Sequence, residues 1–152
     1  MEIHAHPITG AECADPATPL GALSEFYRAF NGRNLALMRQ NWHAAECVLD
    51  NPLGGLRRGW GEIEPLYARL FEGAARVQVA FFDYTLHLGG ELFVAAGRER
   101  GQFARNDERI DLAIRTSRVF RFTEGRWRQV HHHGSIEDPA LLARYQAAVL
   151  AR

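Results

Sequence analysis

Hydrophobic positions recur at helical spacing in the first half of the chain and alternate in the second. Leu20, Leu23, Phe26, Tyr27 and Phe30 mark one face of a helix that opens at Thr18-Pro19. A threonine cap followed by proline suits that start, because the first helical N–H has no partner to lose. Asn31-Gly32 ends this helix, and a short second helix carries Leu35, Met38 and Trp42 on one side. Cys47-Val48-Leu49 reads as a short strand, and Asn51-Pro52-Leu53-Gly54-Gly55 as a loop rich in turn formers. Ile63, Leu66, Tyr67, Leu70 and Phe71 stand at i, i+3, i+4, i+7 and i+8 and predict a third helix over 61–72. Glu62 and Glu64 fall in its first turn, where the helix dipole favours acids.

From Val77 onward the period becomes two. Runs at 76–88, 91–104, 109–123 and 126–136 are joined by Gly89-Gly90, Arg105-Asn106-Asp107 and Glu124-Gly125. Connections this short join antiparallel neighbours, and long strands in a small sheet must curl. A last helix opens at Asp138-Pro139, with Leu141, Leu142, Tyr145 and Val149 on its apolar face. Helices first and strands later predict an α+β fold: a cone-shaped, curled antiparallel sheet with helices packed on its concave side, enclosing a pocket. Residues 1–17 show no periodicity and read as a flexible arm, leaving 18–152 as a single domain.

Composition narrows the function classes. A chain of 152 residues can bury roughly two thirds of its unfolded surface without a metal or disulfide staple. Eighteen basic residues balance eighteen acidic ones, so the basic footprint of a nucleic-acid binder is missing, as is support for an anionic membrane surface. The N-terminal stretch lacks the basic start and apolar run of a secretory signal, and no apolar run approaches the ~18 residues of a membrane span. Cys13 and Cys47 form no CxxC pair and read as reduced thiols, so the expected location is cytoplasmic. Glycine-rich phosphate loops, a dinucleotide fingerprint and a GxSxG elbow are absent from the sequence, leaving nucleotide cofactors unsupported and the expected cofactor set empty.

One strand carries the first chemical signal. Alternation places Ile110, Leu112, Ile114, Thr116, Arg118, Phe120 and Phe122 on one face of 109–123. Arg118 is thus a charge in an apolar row. Its guanidinium needs a counter-charge: a protein carboxylate, Asp50 or Glu99, or an anionic ligand matched to its planar fork. The next signal is His131-His132-His133 in the last strand, where imidazoles can change charge near neutral pH. His131 and His133 share a face, yet no third ligand stands at a matching spacing, so no metal is assigned; His4, His6 and Cys13 in the arm are likewise assigned none. Asp50, in Asp-Asn-Pro, is either a turn former or a general base.

The order of helix, broken helix, Leu49-Asp50-Asn51-Pro52-Leu53-Gly54, Gly59 opening a helix, and four long strands resembles the nuclear transport factor two-like superfamily over about residues 18–136. That group includes ketosteroid isomerases, SnoaL-like cyclases and the association domain of calmodulin-dependent protein kinase type II. The resemblance puts Asp50 where ketosteroid isomerase keeps its general base. It puts Phe26 and Arg118 where that enzyme keeps an oxyanion-hole tyrosine and a protonated aspartate, which speaks against steroid isomerisation. Thr116-Ser117-Arg118-Val119-Phe120 and Gly125 to Ser135 resemble the final hairpin of the kinase association domain. By that likeness Arg98 and Arg118 line a carboxylate pocket, while a third arginine is replaced by Gly134.

The resemblance also turns the Val130 side of the last strand toward the pocket. His132 then becomes an acid/base partner for Asp50 across the cavity, with Tyr27, Trp42, Trp60, Phe120 and Val130 as walls. The expected ligand is a small carboxylate or carbonyl compound. The expected activity is that of a cofactor-free lyase, isomerase or cyclase, in which Arg98 and Arg118 stabilise an anion or enolate. The alternative is a non-catalytic sensing or assembly module. In either case the outer sheet face, with His131 and His133, is expected to pair copies into a homodimer or larger homo-oligomer.

Overall fold

The computed structural model describes residues 1–12 and 15–151, and Cys13 therefore lies outside the described residues. Thr18 Oγ1 accepts from Gly21 N at 3.1 Å and opens α1 (Pro19–Asn31). Asn34 caps α2 (Leu35–Asn41) by accepting from Leu37 N. Two short strands follow, β1 (Val48–Asp50) and β2 (Leu56–Arg58), and then α3 (Trp60–Glu72). The long strands are β3 (Arg76–Gly89), β4 (Leu92–Arg105), β5 (Glu108–Thr123) and β6 (Arg126–Ser135). Asp138, accepting from Ala140 N and Leu141 N, caps α4 (Pro139–Leu150). Each hairpin turns through left-handed backbone: Gly90 at φ 59°, Asn106 at 50°, and Glu124 and Gly125 at 52° and 77°. Two successive positive φ values match the twist of antiparallel strands.

The six strands form one curled, unclosed sheet in the order β2-β1-β6-β5-β4-β3. The four long strands pair antiparallel, but β1 runs parallel to β6, Val48 opposite His131 and Asp50 opposite His133. The sheet is thus mixed rather than wholly antiparallel. Short β1 follows two helices and lies beside β6, from which most of the chain separates it, so its direction is not set by a hairpin. Phe81, Phe93, Phe103, Ile110 and Phe120 fill the concave side, against Leu23, Phe26 and Ile63 of the helices.

Two irregularities reset which side chains face inward. β3 shifts register between Phe82 and Thr85, where Asp83 has a φ of 51°. On β6, Phe120 pairs with Gln129 while Val119 pairs with His131, making Val130 the extra residue of a bulge. Gly101 on β4 admits no side chain, since an added Cβ would sit 1.9 Å from Gln78 O. The N-terminal segment differs from its expected flexibility. His4 and Ile8 pair with Tyr84 and Phe81 along the β3 edge, and Ile8 is buried. A strand edge with free N–H and C=O groups is a template for pairing, and the segment takes that place. No described helix is long and apolar enough to cross a membrane.

Candidate functional site

The concave face and the helices enclose a cavity of about 880 Å³, walled by Phe26, Phe30, Leu49, Leu66, Tyr67, Val79 and Tyr145. Three buried polar side chains reach it from the long strands, Glu99, Arg118 and His132, and Arg57 of β2 and Arg105 of β4 stand at its mouth. Arg118 projects from β5 and is fully buried. Its Nη2 lies 2.6 Å from Glu99 Oε1, its Nη1 donates to Gln129 Oε1 at 2.6 Å, and its Nε donates to Tyr27 Oη at 3.3 Å. Tyr27 Oη in turn donates to Glu99 Oε1 at 2.7 Å. The guanidinium carbon stands 3.6 Å over the Phe26 ring, a favourable site for a cation on a π face.

The electrostatics follow from this closed arrangement. Burial works against the Arg118 charge, but Tyr27, Glu99 and Tyr67 outweigh it and hold the guanidinium above its ordinary pKa. Burial pushes the Tyr27 hydroxyl well above its ordinary value, so it remains a donor. His132 is 5% exposed, and neither ring nitrogen has a hydrogen-bond partner among the described residues. Burial first, and then Arg118, push its pKa well below the ordinary imidazole value. At neutral pH the imidazole is uncharged, with one N–H donor and one acceptor nitrogen. Gln129 Nε2 is also buried without a partner.

The sequence-derived candidates divide between the two faces of the sheet. Arg118 and His132 meet at the cavity. Tyr27 lies behind its polar wall as a partner of Arg118 and Glu99. Trp42 is fully buried between α2 and β6, and Phe120 stacks on Phe93 at 4.7 Å; both are core rather than wall. Val130, at the bulge, does not line the cavity. Asp50 faces away from it: Leu49 takes the inward position on β1, and Asp50 Oδ2 sits 3.2 Å from His133 Nδ1 on the outer face. Asp50 and His132 therefore do not meet across the cavity. Arg98 is also outside, opposite Arg115 in the register, and both line an outer groove of about 600 Å³ with His131, His133, Ser117 and Ser135. Where the resemblance misses a third arginine, a Cβ at Gly134 would press on Pro52 at 3.1–3.2 Å, so any side chain there requires the proline to give way.

Glu99, one of the two carboxylates the sequence offers Arg118, is the one that pairs with it; Gln129 was not foreseen as an inward group. Glu99 was detectable, because Phe93, Ala95 and Phe103 share its parity on β4 and the opposite parity is the more polar. Gln129 was not, since only the bulge at Val130 brings it to the same side as His132. No described group of three His, Cys, Asp or Glu side chains is arranged to hold a metal.

A curled cone of this kind with an apolar chamber defines the nuclear transport factor two-like fold. Solved structures that share it include the following three. A nuclear transport factor two-like protein of Streptomyces avermitilis, named as a candidate dehydratase, matches with a TM-score of 0.69 at 19% identity, over 75% of this chain and 89% of that one. A nuclear transport factor two-like protein of Salmonella enterica matches at 0.67 and 21%, over 75% and 84%. A protein of Thiobacillus denitrificans, named as a candidate calcium/calmodulin-dependent protein kinase type II association domain, matches at 0.65 and 25%, over 84% and 100%. No curated protein matches the sequence. Residues 20–139 match the SnoaL-like domain, and the chain belongs to that family.

Proposed function

We propose that the chain binds a small carbonyl-bearing or anionic organic molecule in the cavity and moves a proton on it without a cofactor, as a lyase, isomerase or cyclase does. His132 carries this reading. An uncharged imidazole, buried at a cavity wall with both nitrogens unpartnered, forgoes hydrogen bonds that water would have supplied. A ligand in the cavity would restore them. The same imidazole can accept a proton from one substrate position and return it to another. Glu99 takes the base role first considered for Asp50, since its Oε1 accepts from Tyr27 and Arg118 and its Oε2 has no partner among the described residues. Arg118 stands where charge on a substrate oxygen would be stabilised. The candidate dehydratase among the structural neighbours is consistent with such chemistry.

The test is hydrogen exchange. A panel of aromatic and aliphatic ketones is incubated with the protein in D2O, and deuterium incorporation next to the carbonyl is followed by mass spectrometry. Exchange is expected with at least one ketone and is expected to fall at least about tenfold in His132→Gln. Binding without exchange would count against catalysis and favour the second reading, a non-catalytic sensing or assembly module. That reading draws on the likeness to the candidate kinase association domain over its whole length. It is also supported by the outer face, where Leu92 and Val94 of β4 are exposed, one strand away from His131.

A further inference from the structure

The polar wall of the cavity contains a cation, an anion and an uncharged base, and their sum is zero. Arg118 and Glu99 are buried and joined at 2.6 Å. Arg98, which would have added a second positive charge, is on the other side of the sheet. We propose, on the reading that the cavity is a ligand site, that it selects an uncharged hydroxy-carbonyl compound and admits a carboxylate only together with a proton.

The argument starts from the free hydrogen-bonding positions. Glu99 Oε2 and one His132 nitrogen accept, while the other His132 nitrogen donates; Gln129 Nε2, also without a partner, is buried behind the wall. An uncharged ligand with a hydroxyl and a carbonyl matches both kinds. A carboxylate matches the donor only, and it would leave two anions against one cation in an apolar chamber, where charges are little screened. It could recruit Arg118 by displacing Glu99, but that strands the glutamate as a buried unpaired charge. A proton taken up by the ligand, His132 or Glu99 restores neutrality. The other titratable groups at the chamber are Tyr67 on α3 and Tyr145 on α4, with Tyr27 on α1 behind the polar wall. Burial raises all three above the ordinary phenol value, so none supplies a charge. Arg57, Arg69, Arg105 and Glu62 stand at the mouth, three of them exposed, where water and salt screen them.

Two matched probes decide it: 6-hydroxy-2-naphthamide and 6-hydroxy-2-naphthoate, titrated calorimetrically in buffers of different ionisation enthalpy. The amide is expected to bind at least about tenfold tighter at pH 7.5 with no proton uptake, and the carboxylate to take up about one proton and weaken roughly tenfold per pH unit above that. In Glu99→Gln the wall gains a net positive charge, so the carboxylate should tighten at least about tenfold and lose its proton uptake. Should that variant not fold, the proton count in the native protein decides alone. Equal affinities with no proton uptake would overturn the charge selection while leaving the cavity as a ligand site. Failure of both probes to bind would overturn the selection and the cavity reading together.

Discussion

At the scale of single residues, the Arg118–Glu99 pair and His132 are costly placements. Removing one member of a buried ion pair leaves the other charged and unsolvated, at about 3–5 kcal/mol. Arg118→Met should therefore lower the unfolding free energy by about that much in urea. Arg118→Met with Glu99→Leu should recover a large part of it, because no orphan charge remains. Additive losses in the two single variants and the double would show that the pair is not a coupled unit. His132 makes a pH prediction. Its folded pKa is depressed, chiefly by burial, so below the unfolded value of about 6.5 the unfolded chain binds the extra proton and stability falls as pH drops. The slope is about 1.4 kcal/mol per pH unit for one histidine. His131 is depressed too, by burial and His133, so its share must be subtracted. Chemical denaturation at pH 7, 6 and 5 should show the native slope reduced by about one proton in His132→Gln. An unchanged slope would mean that His132 titrates freely in the folded state. Glu12, held at about 2 because hydrogen bonds from Thr9 and Ser24 outweigh its burial, acts in a lower window, between about pH 4.5 and 2, and does not confuse the result.

Among the elements, the N-terminal segment carries the sharpest expectation. Its residues are polar and aperiodic, yet Ile8 is 4% exposed and is bonded both ways to Phe81 across the β3 edge, at 3.0 and 2.9 Å. Ile8→Ala should cost about 2–5 kcal/mol if it packs as a core residue does, read as a shift in urea midpoint at constant slope. A change under about 0.5 kcal/mol would mark the segment as an ornament on the surface. The same contrast explains what the sequence made legible. Helices α1, α3 and α4 declare themselves by period and cap, and the four long strands by alternation and turn residues, with ends within a residue or two. A single apolar residue such as Ile8 has no period to betray it. Strand sidedness was readable on β5, where six of seven inward residues are apolar or small. It was misjudged on β4, because Gly97 and Gly101 thin out the apolar parity around Glu99. It was hidden on β6, because a bulge is a property of pairing between two strands and leaves no mark on either alone. Asp50 failed for a related reason: three residues of strand give no alternation to count, and the parallel partner that orients it, His133, lies 83 residues away.

At the scale of the whole molecule, the outer sheet face is where copies would meet. Inward placement of Phe93 and Ala95 forces Leu92 and Val94 outward, 41% and 36% exposed, and Val94 pairs with Val119, which pairs with His131. This gives an apolar stripe on β4 and β5 that ends at His131 on β6, beside the groove of Arg98, Arg115 and His133. Arg98 and Arg115 oppose each other directly in the register, and like charges so placed repel. Burial of the neighbouring stripe is a compensation available without a ligand. The balance of eighteen basic and eighteen acidic residues imposes no long-range repulsion on association. A two-fold contact would present the same stripe from both copies, so one substitution acts twice. We therefore expect a dimer by light scattering at micromolar concentration. Val94→Glu, exposed in the single chain and harmless to its core, should convert it to a monomer. The native melting temperature should also rise with protein concentration, because dissociation accompanies unfolding, and this dependence should vanish in the variant. A native protein that scatters as a monomer, with a melting temperature independent of concentration, would show that the face is solvated and that the proposed chemistry belongs to one chain alone.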